Sequence, residues 1–148
     1  MVLRYHFVLG SVATMNLMSG RVRIENRTRG TRIADRARVA SSLRDRTVGL
    51  LGTSGLGPGD GLFIERSPSI HMFFMRFAID AVFLSKTGRV TKIAANLKPW
   101  RVVWWAPGAR DCLELPVGAV ASSRTEVGDE LVVESLEPDP PQTSRATA

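Results

Sequence analysis

From Ile70 to Leu84 the chain is apolar at every position except His71, Arg76 and Asp80. At the two-residue period of a strand, His71, Phe73, Met75 and Phe77 share one side while Met72, Phe74 and Arg76 take the other. In the same way Asp80 shares a side with Val82 and Leu84, opposite Ile79, Ala81 and Phe83. The stretch therefore reads as two strands, "IHMFFMRF" and "AIDAVFLS", apolar on both faces and suited to burial between layers. Upstream, "RVRIEN" alternates charged and apolar residues like an exposed strand, and "TRIADRARVA" predicts a second strand with one wet face.

Downstream the pattern stays short and punctuated. "GLFIER", "RVTKIAAN", the part of "LKPWRVVWWAPGARD" that bears Trp104 and Trp105, "CLELP", "AVASS" and "ELVVES" all read as strands, parted by turns such as "KTG" and "VGD". One helix is predicted, near residues 42–51: Ser42 can cap it with Asp45 three residues on, Leu43, Thr47, Leu50 and Leu51 fall on one side, and Gly52 can end it. The expected fold is mainly β, an antiparallel sandwich or barrel in a single domain over residues 21–136. Residues 137–148 offer nothing apolar to bury and are expected to be disordered. Residues 1–20 carry Arg4 and an apolar run from Phe7 to Met18, which predicts either a leader or a start assigned too early, with Met15 and Met18 as later starts. Beyond that segment no stretch is long enough for a transmembrane helix.

Composition narrows the chemistry. At 148 residues one domain can bury a real core without staples. A single Cys112 excludes an internal disulfide and a multi-cysteine metal site, and with only His6 and His71 as imidazoles no metal or cofactor is expected. The net charge of +6 is uneven, because residues 1–50 hold ten arginines against Glu25, Asp35 and Asp45. A basic end can attract phosphate or anionic lipid. Without interleaved aromatic residues for base stacking, nucleic acid is not the expected partner, and a solvated arginine-rich arm is the plainer reading. The glycine-rich "TSGLGPGDG" leads into a strand and lacks the Lys-Ser/Thr tail of a phosphate loop.

The candidate site follows from cost. An ionised carboxylate among apolar neighbours must be paired or hydrogen-bonded. Asp80 meets that condition most directly through Arg76 or His71, and Glu114, between Leu113 and Leu115, poses the same problem. Two readings stay open. Either these groups are satisfied polar residues that fix register, or they rim a pocket where an imidazole near a carboxylate binds a polar ligand or moves a proton. Cys112 shares a side with Glu114 and reads as a small buried hydrophobe. Of the adjacent Trp104 and Trp105, alternation puts one in the core and leaves the other free to form a ligand face with Arg101.

In their order, "ASSLRDRTVGLLG", "GDGLFI", "IHMFFMRFAIDAVFLSKTGRV", "LKPWR", "CLELPVG" and "VGDEL" resemble the domain of unknown function 192 family, from about Ala40 to Val133. Where that family often has a proline before Ile79, this chain has Ala78. The resemblance implies a compact β-sandwich of roughly jelly-roll type with a short helix near its start, found in bacteria and archaea. It also implies that relatives are exported or envelope-attached in some cases and lack a leader in others, so an exported and a cytoplasmic location both stay open. It supplies no activity, although His71, Arg76, Asp80 and Glu114 match its recurrent polar positions. The expected function is a non-enzymatic accessory or ligand-binding module at the cell envelope. Its candidate ligand-binding residues are His71, Arg76, Asp80, Glu114, Trp104 and Arg101, and its expected partner is a small molecule or an envelope protein. The alternatives are a small hydrolase or isomerase using His71 with Asp80 or Glu114, and an anionic-surface or nucleic-acid binder using the N-terminal arginines.

Overall fold

A computed structural model describes residues 20–41 and 49–136. Residues 1–19, most of the predicted helix at 42–51 and residues 137–148 lie outside the described residues; of that helix, 49–51 form a turn. Nine strands and one short helix follow in the order β1 (Arg21–Asn26), β2 (Thr31–Ala40), β3 (Asp60–Ile64), β4 (Ile70–His71), β5 (Ile79–Leu84), β6 (Val90–Leu97), β7 (Val102–Val103), β8 (Asp111–Pro116), α1 (Ala119–Ser123) and β9 (Leu131–Ser135). Seven strands form one sheet in the order β6-β5-β8-β3-β2-β1-β9, while β4 and β7 make a two-stranded ribbon. All pairs are antiparallel except β2 with β3.

The expected mainly β fold is present, and the sheet curls into a half-closed barrel. Its two edges meet at one end, where Arg89 bridges Glu130, the Val90 amide donates to the Asp129 carbonyl at 2.8 Å and the Leu131 amide to the Gly88 carbonyl at 2.9 Å. Pairing the edges this way removes part of the exposed ladder that an open sheet would present. Strand alternation then splits the core in two. Val82, Leu84, Leu113, Leu115 and Phe63 join Val22, Ile24 and Leu131 inside the curl, closed by Val120 of α1. Ile79, Ala81, Phe83, Cys112, Leu62 and Ile64 face the other way, under a cover that includes Leu50, Met72, Met75 and Ala106. All six residues of β5 are buried because both of its faces are covered, which is why its sequence is apolar at every position but Asp80.

Three predicted strands are corrected. "IHMFFMRF" is a strand only at Ile70–His71; Met72 and Met75 turn inward while Phe73 and Phe74 turn out, a turn pattern that period-two alternation could not describe. "AVASS" is the helix α1, since Gly118 at φ 97° redirects the chain and amides of the first turn find an acceptor elsewhere in the fold. The tryptophan segment is a strand only at Val102–Val103, and both Trp104 and Trp105 are exposed, so neither is in the core.

The barrel seam is held by a polar lock. Buried Asp129 accepts from Arg29 Nε at 3.0 Å, Asn26 Nδ2 at 2.9 Å and the Glu126 amide at 3.0 Å, while Asn26 also donates to Thr125 Oγ1 at 3.0 Å. The Arg29 hydrogen bond, followed by those from Asn26 and Glu126, holds the Asp129 carboxyl down at about 2. A carboxyl depressed in the folded state adds stability that is present above its ordinary range and is lost as the pH falls through 2. Asp129→Ala should therefore lose about 2 kcal/mol at pH 7, with the deficit shrinking toward pH 2, in urea melts followed by circular dichroism.

Candidate functional site

Glu114 sits in the middle of β8, opposite Leu62 of β3 and Ala81 of β5. Its side chain shares the covered outer face with Cys112 and is 7 % exposed. No hydrogen bond or ion pair to its carboxyl occurs among the described residues. Burial without a compensating donor pushes this carboxyl up from 4.5 to about 7. Burial likewise pushes the Cys112 thiol well up, with Glu114 and Asp111 adding to the effect, so Cys112 is an inert core residue and no nucleophile.

A cavity of about 90 Å³ lies over Glu114. Its lining runs from buried Ile64, Met72 and Met75 to exposed Ser69 and His71, so it leads from the carboxyl to the surface. At that surface the His71 ring stacks on Phe73, with centroids 5.1 Å apart. Phe73 in turn lies 6.0 Å from Trp100, and Trp100 meets Phe74 edge-on at 5.1 Å. The backbone holds this platform in place: the Met72 amide donates to the Arg101 carbonyl at 2.7 Å and the Trp100 amide to the Met72 carbonyl at 2.8 Å. Phe74 and Trp100 both take left-handed backbone conformations, φ 62° and 67°, and both are exposed. Bulky residues adopt that region at a cost of about 1–3 kcal/mol, and such strain gathers at functional surfaces.

The other candidate residues go elsewhere. Asp80 faces the inside of the curl with Leu115, on the opposite side of the sheet from Glu114, so the two acids do not meet. Neither Arg76 nor His71 is its partner. Asp80 Oδ1 accepts from the Asn96 amide at 2.9 Å, and Oδ2 from the Gly118 and Val120 amides at 3.0 and 3.1 Å. Arg76 and Arg101 are exposed and make no side-chain hydrogen bond or ion pair among the described residues. Trp104 stands exposed just past β7, whose Val102 and Val103 pair with His71 and Ile70. Of the six candidates, His71 and Glu114 are thus brought to one cavity, with Trp104 and Arg101 on the flanking ribbon. Phe73, Phe74, Trp100 and Ser69 were not among the site residues expected from the sequence. The signal for them was Pro68 and Pro99, each placed where a loop rather than a long strand begins.

Among the described residues no group of three or more His, Cys, Asp or Glu side chains is placed to hold a metal ion, and no helix is long and apolar enough to cross a membrane. The fold and the cavity define a small, mainly β half-barrel domain with a buried carboxyl, unpartnered among the described residues, under an aromatic rim. The chain belongs to the DUF192 family, described as "Uncharacterized ACR, COG1430", whose model matches residues 24–133. A UPF0127 protein of Thermococcus sibiricus is 31% identical over 110 residues, covering 72% of this chain and 71% of that one. The UPF0127 protein PH1112 of Pyrococcus horikoshii is 41% identical over 63 residues, which are 43% of this chain and 54% of the relative. A crystal structure of a protein of unknown function from Novosphingobium aromaticivorans superposes with a TM-score of 0.65 at 26% identity, covering 75% of this chain and 82% of that one. One from Sinorhizobium meliloti reaches a TM-score of 0.68 at 21% identity, over 84% and 98% of the two chains, a likeness of fold alone.

Proposed function

We propose that the domain is a non-enzymatic ligand-binding module whose pocket is the cavity over Glu114 and whose rim is the platform of His71, Phe73, Phe74 and Trp100. The observation that carries this reading is the Glu114 carboxyl, buried beneath a cavity with no donor to meet it among the described residues. A buried ionised carboxylate is costly until something cationic or strongly donating fills the space above it. The ligand class that fits is a small organic molecule with a protonated amine for Glu114 and a flat apolar part for the aromatic rim, whose ring faces also favour cations. The catalytic alternative is weaker, because no hydrogen bond joins His71 to Glu114 and a base needs its orienting partner. An envelope location belongs to the same proposal and draws on the apolar run Phe7–Met18; fractionation of the native cell tests it.

Thermal-shift and NMR titrations with arylalkylamines such as benzylamine and phenethylamine test the pocket. At pH 8, where Glu114 is ionised and these amines are still charged, they should raise the melting temperature and perturb the signals of Met72 and His71. At pH 5.5, and in Glu114→Gln at either pH, the effect should fall about tenfold. Shifts that persist unchanged in Glu114→Gln, or no response to any amine, would sink the reading.

A further inference from the structure

The arginines of β1, β2 and the turn between them are not all treated alike. Arg29 binds Asp129 and Glu126, Arg32 binds Asp35 at 3.0 Å and lies 3.6 Å from Glu25, and Arg27 approaches Glu130 at 3.8 Å. At the other end of the same ladder the matching stops. Arg21 stands directly opposite Arg38, and Arg36 lies two residues from Arg38 on the same face of β2. Like charges placed directly across a ladder destabilise it. Among the described residues one carboxylate is at hand: Asp60, opposite Arg36 on β3, comes to 3.6 Å of that guanidinium. Arg38 donates to the Gly49 carbonyl at 3.0 Å, whereas the Arg21 guanidinium has no hydrogen bond or ion pair among the described residues. Two positions along β1, the buried Arg23 Nε has no partner among the described residues.

Arg21, Arg36 and Arg38 line one cleft of about 310 Å³, together with Asp60, Thr53 and the apolar Leu50 and Leu56. Its charged lining sums to three cations against one anion. We infer that this cleft is a second binding site, for a small molecule bearing a phosphate group. Guanidinium forks match phosphate oxygens bidentately, and a dianion set between Arg21 and Arg38 turns their repulsion into two favourable contacts. The volume sits at the lower end of small-molecule pockets, enough for a phosphomonoester with a compact organic part. A nucleic-acid strand fits less well, since the lining holds no aromatic side chain on which a base could stack. The site is distinct from the Glu114 cavity in charge and in position, although Leu50 lies on the wall of both.

Isothermal titration at 50 mM salt with ribose 5-phosphate, glycerol phosphate and inorganic phosphate tests this inference, with a single-stranded oligonucleotide as a separate arm. A phosphomonoester should bind one to one. Arg21→Gln and Arg38→Gln should each weaken it about tenfold, while Arg32→Gln, whose guanidinium is already paired away from the cleft, leaves the affinity unchanged. Arg21→Gln should also fold with an unchanged or higher melting temperature, because that side chain makes no hydrogen bond or ion pair among the described residues and its loss relieves repulsion. The inference fails if no phosphomonoester binds, if Arg21→Gln binds like the wild type, or if Arg32→Gln weakens binding equally, which would mark unspecific charge attraction. It fails too if only the oligonucleotide binds. Neither result bears on the amine titrations of the Glu114 pocket.

Discussion

Replacing Asp80 with alanine should cost the domain about 3–5 kcal/mol, a large part of the roughly 5–15 kcal/mol that holds a domain of this size together. Three backbone amides depend on this one carboxylate. On β6 an extra residue is squeezed in where Ile79 pairs with Leu97 and Ala81 already pairs with Ala94, and the Asn96 amide, at a left-handed φ of 50°, points out of the ladder to Asp80. At the start of α1 the capping residue is Gly118, which has no side chain to cap with, so Asp80 reaches across from β5 to take the Gly118 and Val120 amides. Helix ends and bulges leave amides that must find acceptors when buried. Alanine leaves all three without this acceptor, the Val120 amide in the buried interior and those of Asn96 and Gly118 partly buried. Asp80→Asn should lie between, at about 2 kcal/mol, because its single carbonyl oxygen cannot serve both sides and its NH2 group meets an amide donor. Urea unfolding at pH 7 measures both; an alanine variant within 1 kcal/mol of the wild type would show that Asp80 does not hold these elements together.

The second large effect has the opposite sign. Glu114→Gln should stabilise the free protein at pH 8 by about 2–3 kcal/mol and change it little at pH 5. The folded carboxyl titrates at about 7 against 4.5 ordinarily, so between those values the folded state keeps a proton that the unfolded chain releases. Stability therefore falls as the pH rises from 4.5 through 7, and the deficit is complete above that range. Glutamine keeps the shape and never ionises, which removes this slope; its buried amide trims the gain. Wild-type and Gln variant curves that run parallel from pH 5 to 8 would refute the burial of an unpaired Glu114. A ligand amine at pH 8 should recover the same stability in the wild type alone, so the two experiments support each other from different directions.

How these two acids behave shows what could be read in advance. Both were suspect as carboxylates in apolar strands, and the requirement that such groups be answered follows from solvation alone. The answers differ because the strand alternation that separates Asp80 from Glu114 is local, whereas what waits on each face is not. Asp80 met amides delivered by a bulge on β6 and a turn after β8; Glu114 met a loop that leaves a cavity. The same division explains the aromatic rim. Its rings lie in sequence as Phe73, Phe74 and Trp100, but a segment with apolar residues on every position cannot announce which of them will be turned outward.

By itself the sequence determined the strand-rich class, nearly all the boundaries of β1, β2, β5 and β9, the shared side of Cys112 and Glu114, and the excess of arginine on one end. Those properties depend on side-chain period and on turn residues a few positions away. The tertiary structure alone decided the parallel pairing of β2 with β3, the closure of the sheet edges at Asp129, the conversion of "AVASS" to a helix, the donors that satisfy Asp80 and, among the described residues, the absence of any for Glu114. These are contacts between segments tens of residues apart, and a hydrogen-bond partner that is a backbone amide leaves no mark in the identity of its own residue.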